Sequence, residues 1–584
     1  MILQALYEYS IRKADTLAPE GFEWKEIPFI CRIDQSGNFR GFEDTRQQSD
    51  SKKIAKSFLV PSLGEQKGSG IKANLLWENA EYVFGVPTKE TSNLARVAEE
   101  AKAFREKIRS AVASSTSEPW LSLLLFLENL KMDEIAKDNL WPEVCLPTSL
   151  VLLSMDGIGI LTDQSGIEAG SNPIPSAMDD EVSGLCLVSG KSTILARLLP
   201  ATKGVRDANP TGASLVAINN EISKGRNQGQ TPAFASFMKQ QGYNSPIGKK
   251  EAESFGKALN YLLRRDSPNK LQVGDATTVF WSERDTKFET GYRTFFAMPA
   301  KDDPDRSIRE LRAAIESVRT GIPPDESRTR FYVLGLSPNS ARIAVRFWHQ
   351  GTIGEFAENI RMHFDDLEIV APVFDKGNIA LSYLLASTAL DWKSENVPPH
   401  LAGDVMRAVM SGSTYPATLL QQCLRRIRAE QGDVNRARAS ILKACLNRRL
   451  RFITRNTEKE ITVALDPENS NQGYRLGRLF AVLEKIQEDA NPGINATIRD
   501  RFYGAASSTP VSVFPQLLKL KNHHLSKLEN VGFRISHERR LAEIIGGLGS
   551  SMPAHLSMDD QARFALGYYH QRQALFASSK DNNA

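Results

Sequence analysis

The sequence predicts an α+β protein, with a mixed α/β N-terminal region followed by a C-terminal all-α helical bundle. Short apolar runs separated by turn residues predict strands, with helices between them, over roughly the first 385 residues. Beyond residue 385 the apolar residues recur at three- and four-residue steps, which predicts amphipathic helices packed as a bundle. A chain of 584 residues is too long for one ordinary core, so we expect two to four domains.

Two hairpins dominate the N-terminal prediction. Residues 27–33 and 39–42 flank a Gln-Ser-Gly-Asn turn, and residues 331–336 and 341–348 flank a Ser-Pro-Asn-Ser turn, before a helix at 355–366. Further strands are predicted at 150–153, 185–188, 215–218 and 277–281. Further helices are predicted at 74–84, 94–110, 251–264 and 306–319.

The C-terminal half carries a series of amphipathic patterns. They predict helices at 402–410, 416–429, 434–453, 474–489, 512–530, 538–546 and 558–577. The polar stretch 456–473 interrupts the series and is typical of a connector. We therefore divide the chain into a mixed region over 1–385, a basic helical segment over 386–460 and a helical bundle over 461–584.

The composition is that of a soluble globular protein, with 41% hydrophobic and 24% charged residues. An amphipathic helix follows Met1, and the longest apolar runs fall short of the roughly 20 residues that cross a bilayer, so we expect neither a signal peptide nor a membrane span. Five cysteines lie far apart without a CxxC pair. They match neither a zinc site nor a disulfide framework, and they favour a cytoplasmic location.

Positive charge is concentrated between residues 421 and 460. This stretch holds eleven Lys or Arg against four Asp or Glu, a balance of +7 in a chain whose net charge is +4. Residues 351–400, by contrast, hold eight acids and three bases. The helical pattern predicts that most of the arginines lie on the exposed side, where guanidinium groups suit a phosphate backbone. Such a face is often plain solvated surface, but segregated charge favours a polyanionic partner.

No residue pattern in the sequence assembles a catalytic site. The Gly-Lys-Ser sequence at 190–192 lacks the glycine that a phosphate-binding loop needs five residues earlier. The side chains of His363 and Asp366 are expected to diverge on their helix, as are those of His523 and His524. We therefore expect no catalytic residues, no metal and no cofactor.

Several longer segments are specific enough to indicate a family. They are SGIKANLLWENAEYVFG at 69–85, GDATTVFW at 274–281, FYVLGLSPNSARIAVRFW at 331–348, LGRLFAVLEKIQ at 476–487 and NATIRDRFYGAA at 495–506. With these segments in this order, and with its opening MILQALY, the chain resembles from end to end the large subunit of the type I-C CRISPR effector complex, Cascade.

The resemblance implies a non-catalytic role in RNA-guided antiviral surveillance of DNA. Such a subunit sits at the end of the complex that carries the 5′ handle of the guide RNA. It recognises the motif that flanks the target in double-stranded DNA (the PAM), aids strand opening and recruits the helicase-nuclease. The implied partners are guide RNA, target duplex DNA, and the other Cascade subunits, including the handle-binding and backbone subunits. The family also makes a small subunit from the C-terminal part of the same gene, which residues 461–584 resemble.

Two loops are candidates for reading the flanking motif, because small loops with amides or lysines suit the narrow minor groove. The first holds Lys67, Ser69, Lys72 and Asn74, and we expect it to lead into a helix whose free N–H groups attract phosphate. The second holds Gln241, Tyr243 and Asn244. An ordinary helix-entry loop and a plain turn are the respective alternatives.

Contacts to the nucleic-acid backbone are expected from the basic helices. The candidates are Arg425, Arg426, Arg428, Arg436, Arg438, Arg448 and Arg449, with Arg499, Arg501, Lys519 and Lys521 as a lesser patch in the small-subunit-like part. Two other functions stay open at this point. One is a nuclease or guide-RNA-processing enzyme with an unrecognised site, and the other is a scaffold that binds only protein.

Overall fold

The computed structural model describes most of the chain. It describes residues 1–584 without 20, 50–51, 63–70, 115–117, 157–181, 219–238, 240, 297–308, 311–312, 315, 319, 373–379, 455–460, 550 and 582–584. The chain divides into two compact units. Unit 1 comprises Met1–Gly204, Ala208–Arg265 and Pro338–Ile343, and unit 2 comprises Val205–Asp207, Asp266–Ser337 and Ala344–Ala584. The boundaries that the sequence suggested, near 385 and 460, both fall inside unit 2, and the three-part division stays a prediction.

Unit 1 mixes helices with short strands. Its helices are α1 (Ile2–Arg12), α2 (Ala80–Phe84), α3 (Leu94–Ser114), α4 (Glu118–Glu128), α5 (Met132–Ile135), α6 (Trp141–Val144) and α7 (Lys249–Leu263). Its strands are β1 (Phe22–Glu26), β2 (Phe29–Ile33), β3 (Phe39–Asp44), β4 (Gln47–Ser49), β5 (Lys52–Ile54), β6 (Ser57–Pro61), β7 (Trp77–Glu78), β8 (Val151–Met155), β9 (Ser183–Leu185), β10 (Ser192–Ile194), β11 (Ala201–Thr202) and β12 (Ala213–Ser214).

The core of unit 1 forms around a four-stranded sheet in the order β3-β2-β8-β7. Strand β2 is antiparallel to β3 and parallel to β8, and Phe29 pairs with Val151. Helix α4 packs on β2 and β8, and its Trp120 and Leu123 are fully buried. The sequence-predicted hairpin at 27–42 and the strand at 150–153 are therefore confirmed, because alternating apolar residues with a polar turn specify them locally.

Three sequence predictions in unit 1 differ from the structure. The helix predicted at 74–84 begins at Ala80, because the segment before it makes a tight turn through Leu76, whose φ is 71°. The strand predicted at 185–188 ends at Leu185, since Cys186 turns the chain and its Sγ accepts the backbone N–H of Val188. The strand predicted at 215–218 is wrong, since these residues form no strand and the nearby strand is Ala213–Ser214.

Unit 2 begins with an antiparallel sheet and continues as helices. Its strands are β13 (Lys270–Val273), β14 (Ala276–Ser282), β15 (Arg330–Asn339) and β16 (Arg342–Thr352). Its helices are α8 (Lys287–Gly291), α9 (Pro324–Ser327), α10 (Ile353–Leu367), α11 (Leu381–Ser387), α12 (Leu401–Ser411), α13 (Ala417–Ala429), α14 (Arg436–Thr454), α15 (Gln472–Ala490), α16 (Ile498–Ala506), α17 (Pro510–Ser526), α18 (Val531–Gly546) and α19 (Met558–Asp581).

Aromatic side chains of the sheet in unit 2 pack against the helical segments beside it. The ring centroids of Phe331 on β15 and Phe356 on α10 lie 5.6 Å apart, and those of Phe280 on β14 and Tyr292 lie 4.6 Å apart. Beyond Thr352 the described residues form helices and connecting turns without further strands. The α+β class with a C-terminal helical region is therefore confirmed. The helix predicted at 306–319 falls partly outside the described residues.

Helices α15 and α19 are in direct backbone contact at the centre of the bundle. A methyl group built on Gly477 would overlap the carbonyl oxygen of Phe564, and one built on Gly567 would overlap that of Tyr474. Next to this contact the hydroxyl of Tyr474 lies 2.9 Å from Nδ1 of the buried His570. The two glycines therefore set the separation of the helices that the remaining C-terminal helices surround.

We expect Gly477→Ala to lower the free energy of unfolding by about 1–3 kcal/mol, because a side chain at this contact forces the two helices apart. Denaturation by urea, followed by circular dichroism, measures the change. Gly504→Ala on α16 is the matched control, since nothing lies within 4 Å of a Cβ atom there. The control should be neutral or stabilise by up to about 1 kcal/mol, and equal losses in both variants would contradict the packing argument.

Candidate nucleic-acid interface

The predicted arginines of α13 and α14 separate into a buried set and an exposed set. Arg438 and Arg448 are 0% and 2% exposed, so the prediction that they lie on the exposed side is wrong. The apolar stripe suggested a helix with one buried face, but α14 is buried on all sides from Ala437 to Arg448. Arg425, Arg428 and Arg449 are exposed.

Arg438 closes the turn between α13 and α14. Its Nη2 lies 2.5 Å from Oε2 of Glu430, and its Nη1 lies 3.2 Å from Oδ2 of Asp433. Its Nε donates to the backbone oxygen of Ser387 at the end of α11, at 2.9 Å. The guanidinium group therefore has acidic and carbonyl partners inside the protein and holds three helices together.

A second buried centre forms around Asp366 of α10. Its Oδ2 accepts a hydrogen bond from Nε of Arg448 at 2.9 Å, and its Oδ1 contacts Arg451. Its backbone oxygen accepts a hydrogen bond from the fully buried Lys443 at 2.8 Å. Three basic side chains of α14 thus bind one residue, Asp366, of the acidic stretch 351–400. These contacts between a basic helix and an acidic one explain in part why positive and negative charges are concentrated in separate segments of the sequence.

Tyr415 and His363 complete this buried centre. The guanidinium carbon of Arg448 lies 4.2 Å from the centre of the Tyr415 ring, and the Tyr415 hydroxyl lies 2.5 Å from Nδ1 of His363. Burial, together with the nearby charge of Arg448, lowers the pKa of His363 well below its ordinary value, so this imidazole is neutral. His363 and Asp366 are therefore parts of the core and are not presented to a substrate.

The exposed arginines lie on neighbouring helices. Arg425 and Arg428 lie on α13, and Arg449 lies on α14, which packs against α13. A Cβ atom on Gly432, in the turn after α13, would lie 3.0 Å from Cγ of Arg499 on α16. One residue of the second basic patch, Arg499, therefore lies beside the turn that follows α13.

The remaining basic candidates differ in their surroundings. Arg426 is mostly buried in an ion pair with Glu430, and Arg436 is half-buried. Arg499 is half-buried, with its Nε 3.9 Å from Glu484. Arg501 and Lys519 are exposed and Lys521 is half-exposed, on α16 and α17. The exposed side chains, rather than the whole cluster, are accessible to a partner, and we call Arg425, Arg428 and Arg449, on the two packed helices α13 and α14, the arginine surface.

The first flanking-motif loop is partly internal. Lys67 and Ser69 lie outside the described residues, and Lys72 is half-buried, with its backbone N–H bonded to the Tyr82 hydroxyl. Asn74 is 4% exposed, and its side-chain Nδ2 donates to Oε1 of Glu78 at 2.8 Å. Residues 71–79 form no helix, so the expected helix start near Lys72 and Asn74 is wrong. The backbone N–H groups that were expected to attract phosphate there are therefore not those of a helix N-terminus.

The second loop forms a 3₁₀ turn, Gln241–Asn244. Oε1 of Gln241 accepts a hydrogen bond from Arg197 at 2.8 Å, and the buried Asn244 bonds to the backbone of Lys239 and Gln241. A side chain at Gly242 would overlap the chain at Ala196 and Arg197, which requires glycine there. Asn244 therefore shapes the turn, while Tyr243 and Gln241 remain partly accessible.

No metal cluster or membrane span is found in the described part of the chain. Groups of three or more His, Cys, Asp or Glu side chains able to hold an ion do not occur among these residues. None of the described helices combines the length and the apolar composition that a membrane span requires. Gly190, at a φ of 69°, and Lys191 lie in the turn between β9 and β10, and Ser192 begins β10, so the Gly-Lys-Ser sequence does not open a helix as a phosphate-binding loop would.

The protein thus combines a mixed α/β N-terminal unit with a second unit whose C-terminal helices carry exposed arginines. Residues 3–576 match the family described as CRISPR-associated protein, Cas_Csd1. The chain therefore belongs to this family of CRISPR-associated proteins. No curated protein matches the chain.

We expect Asp366→Ala to destabilise unit 2 by about 3–5 kcal/mol, because it leaves the buried Arg448 without its carboxylate partner. The loss should appear as a lower midpoint of chemical denaturation. Asp365→Ala is the matched control on the same helix, since its pair with Arg361 is partly exposed and an exposed pair contributes at most about 1 kcal/mol. A similar loss in both variants would show that burial of the Asp366 pair is unimportant.

Proposed function

We propose that the protein is the large subunit of a type I-C effector complex that uses a guide RNA to find target DNA. The subunit recognises the motif flanking the target in duplex DNA, aids strand opening and recruits the helicase-nuclease, without cleaving nucleic acid itself. Membership of a CRISPR-associated family supports an assembly with other Cas components. The end-to-end resemblance to type I-C large subunits supports the finer assignment.

The observation that carries the proposed binding role is the arginine surface. Its members come from two helices, α13 and α14, that pack against each other in unit 2. Burial of Arg438 and Arg448 holds α13 and α14 in place, so Arg425, Arg428 and Arg449 project from a rigid support. Guanidinium groups on such a support suit successive phosphates of a strand, and they read no bases.

The proposed partners follow from the same assignment. They are guide RNA, target DNA, the handle-binding and backbone subunits, the helicase-nuclease, and a small subunit equivalent to residues 461–584. The close contact of α15 and α19 lies entirely within 461–584, which supports a helical unit in that part of the chain.

The double variant Arg425→Ala, Arg428→Ala should weaken binding to all target sequences alike. Each lost phosphate contact should also reduce the slope of log K against log salt by about 0.9. A titration of labelled target DNA at several salt concentrations measures both effects. Arg361→Ala on the acidic helix α10 is the control, because Arg361 is already paired with Glu358 and Asp365. An unchanged slope in the double variant would refute backbone binding at this surface.

Lys72→Ala and Tyr243→Ala should each change the preference among flanking motifs, because these candidate side chains are partly accessible in unit 1. Binding to a library of target duplexes with randomised flanks ranks the motifs. Lys191→Ala, at an exposed lysine in the β9–β10 turn, controls for the loss of one positive charge. If both variants rank the flanks as the parent and the control do, neither loop reads the motif.

A further inference from the structure

The first turn of α19 offers an acceptor to each of two members of the arginine surface. Nη1 of Arg449 donates to Oδ1 and Oδ2 of Asp559, at 2.8 and 2.9 Å. Nη2 of Arg428 contacts Oε1 of Gln561. The amide of Gln561 is fixed in this orientation because its Nε2 donates to the backbone oxygen of Leu556 at 2.9 Å. The carboxylate of Asp559 and the amide oxygen of Gln561 thus bind the two arginines that the proposed function assigns to a nucleic-acid strand.

The neighbouring Asp560, unlike Asp559, is committed to holding the start of α19. Its Oδ2 accepts a hydrogen bond from Oγ of Ser557 at 2.7 Å, and its backbone N–H donates a hydrogen bond to the same Ser557 Oγ at 3.2 Å. Its Oδ1 pairs with Arg563 at 2.8 Å. Ser557 and Asp560 therefore cap the start of α19, and the helix does not require the Asp559 carboxylate for its cap.

The pair between Arg449 and Asp559 is exposed enough to open readily. The side chain of Arg449 is 52% exposed and that of Asp559 is 28% exposed. Exposed ion pairs are weak because water and salt screen them. A phosphate backbone, in contrast, releases condensed counterions when an arginine neutralises it. A strand bound along the arginine surface can therefore take Arg449 from Asp559 at low cost.

We propose that Asp559 is a built-in competitor of nucleic acid for the arginine surface. While the surface is empty, its carboxylate occupies Arg449 and lowers the local positive potential. Every strand that takes Arg449 must break this pair at the same cost, and only a strand with contacts along the rest of the surface offsets that cost. Asp559 thereby reduces binding to unrelated nucleic acid. This inference rests on the proposed function, since it requires a strand at the arginine surface.

The test uses the full-length chain and single-stranded oligothymidylate as the unrelated polyanion. Asp559→Asn should bind this probe about three- to fivefold more tightly, the effect of one weak ion pair. The slope of log K against log salt should steepen by up to about 0.7, the value for one phosphate contact on a single strand, because Arg449 becomes available for a phosphate. Thermal denaturation checks that the variant is folded, and Asp559→Ser replaces it if it is not.

Two further variants distinguish the competitor from a general effect of charge. Asp365→Asn removes an equally exposed carboxylate, 28%, from a pair with Arg361 on α10, and should leave binding unchanged. In an Arg449→Ala background, Asp559→Asn should give no gain. An equal gain from Asp365→Asn, or a gain that persists without Arg449, would overturn the inference.

The outcome for Arg425→Ala, Arg428→Ala separates the two proposals. If that double variant weakens binding and Asp559→Asn behaves as the parent, the competitor is refuted while backbone binding stands. If neither changes the affinity or the salt dependence, the arginine surface does not bind nucleic acid and both proposals fail.

Discussion

The organisation of unit 2 depends on one buried carboxylate, that of Asp366. It is 2% exposed and receives Arg448, while its own backbone oxygen receives Lys443. Isolated buried charges are costly, so these groups are tolerated because each has a partner within hydrogen-bonding distance. Since the partners lie on α10 and α14, this centre fixes the position of the arginine-rich helix against the acidic one.

The same centre decides which arginines face the solvent. With Arg438 closing the turn after α13 and Arg448 held by Asp366, α14 cannot rotate without breaking buried ion pairs. Arg449, the next residue in sequence, is consequently held outward beside the first turn of α19. The close backbone contact of α15 and α19 positions that turn in its own right. The buried Arg438 and Arg448 thus fix the helices on which the exposed arginines lie.

In the loops of unit 1, polar side chains likewise find their hydrogen-bond partners inside the protein. Asn74 and Glu78 satisfy each other where the chain turns sharply at Leu76, and Asn244 satisfies the backbone of its own turn. Short polar side chains commonly serve the backbone in this way, which is why loop composition alone predicts recognition poorly. Lys72, Gln241 and Tyr243 are left as the more accessible of the described candidates.

Local patterns in the sequence were sufficient for the hairpins at β2–β3 and β15–β16 and for most C-terminal helices, because hydrophobic periodicity and turn residues act over a few positions. They did not reveal which arginines are buried. Arg448 meets a carboxylate 82 residues away, and Arg449 meets one 110 residues away. A periodicity argument assumes one solvated face, whereas α14 is enclosed on every side over most of its length. Long-range ion pairing in the folded chain, which no local pattern encodes, separates the arginines that build the core from those available to a partner.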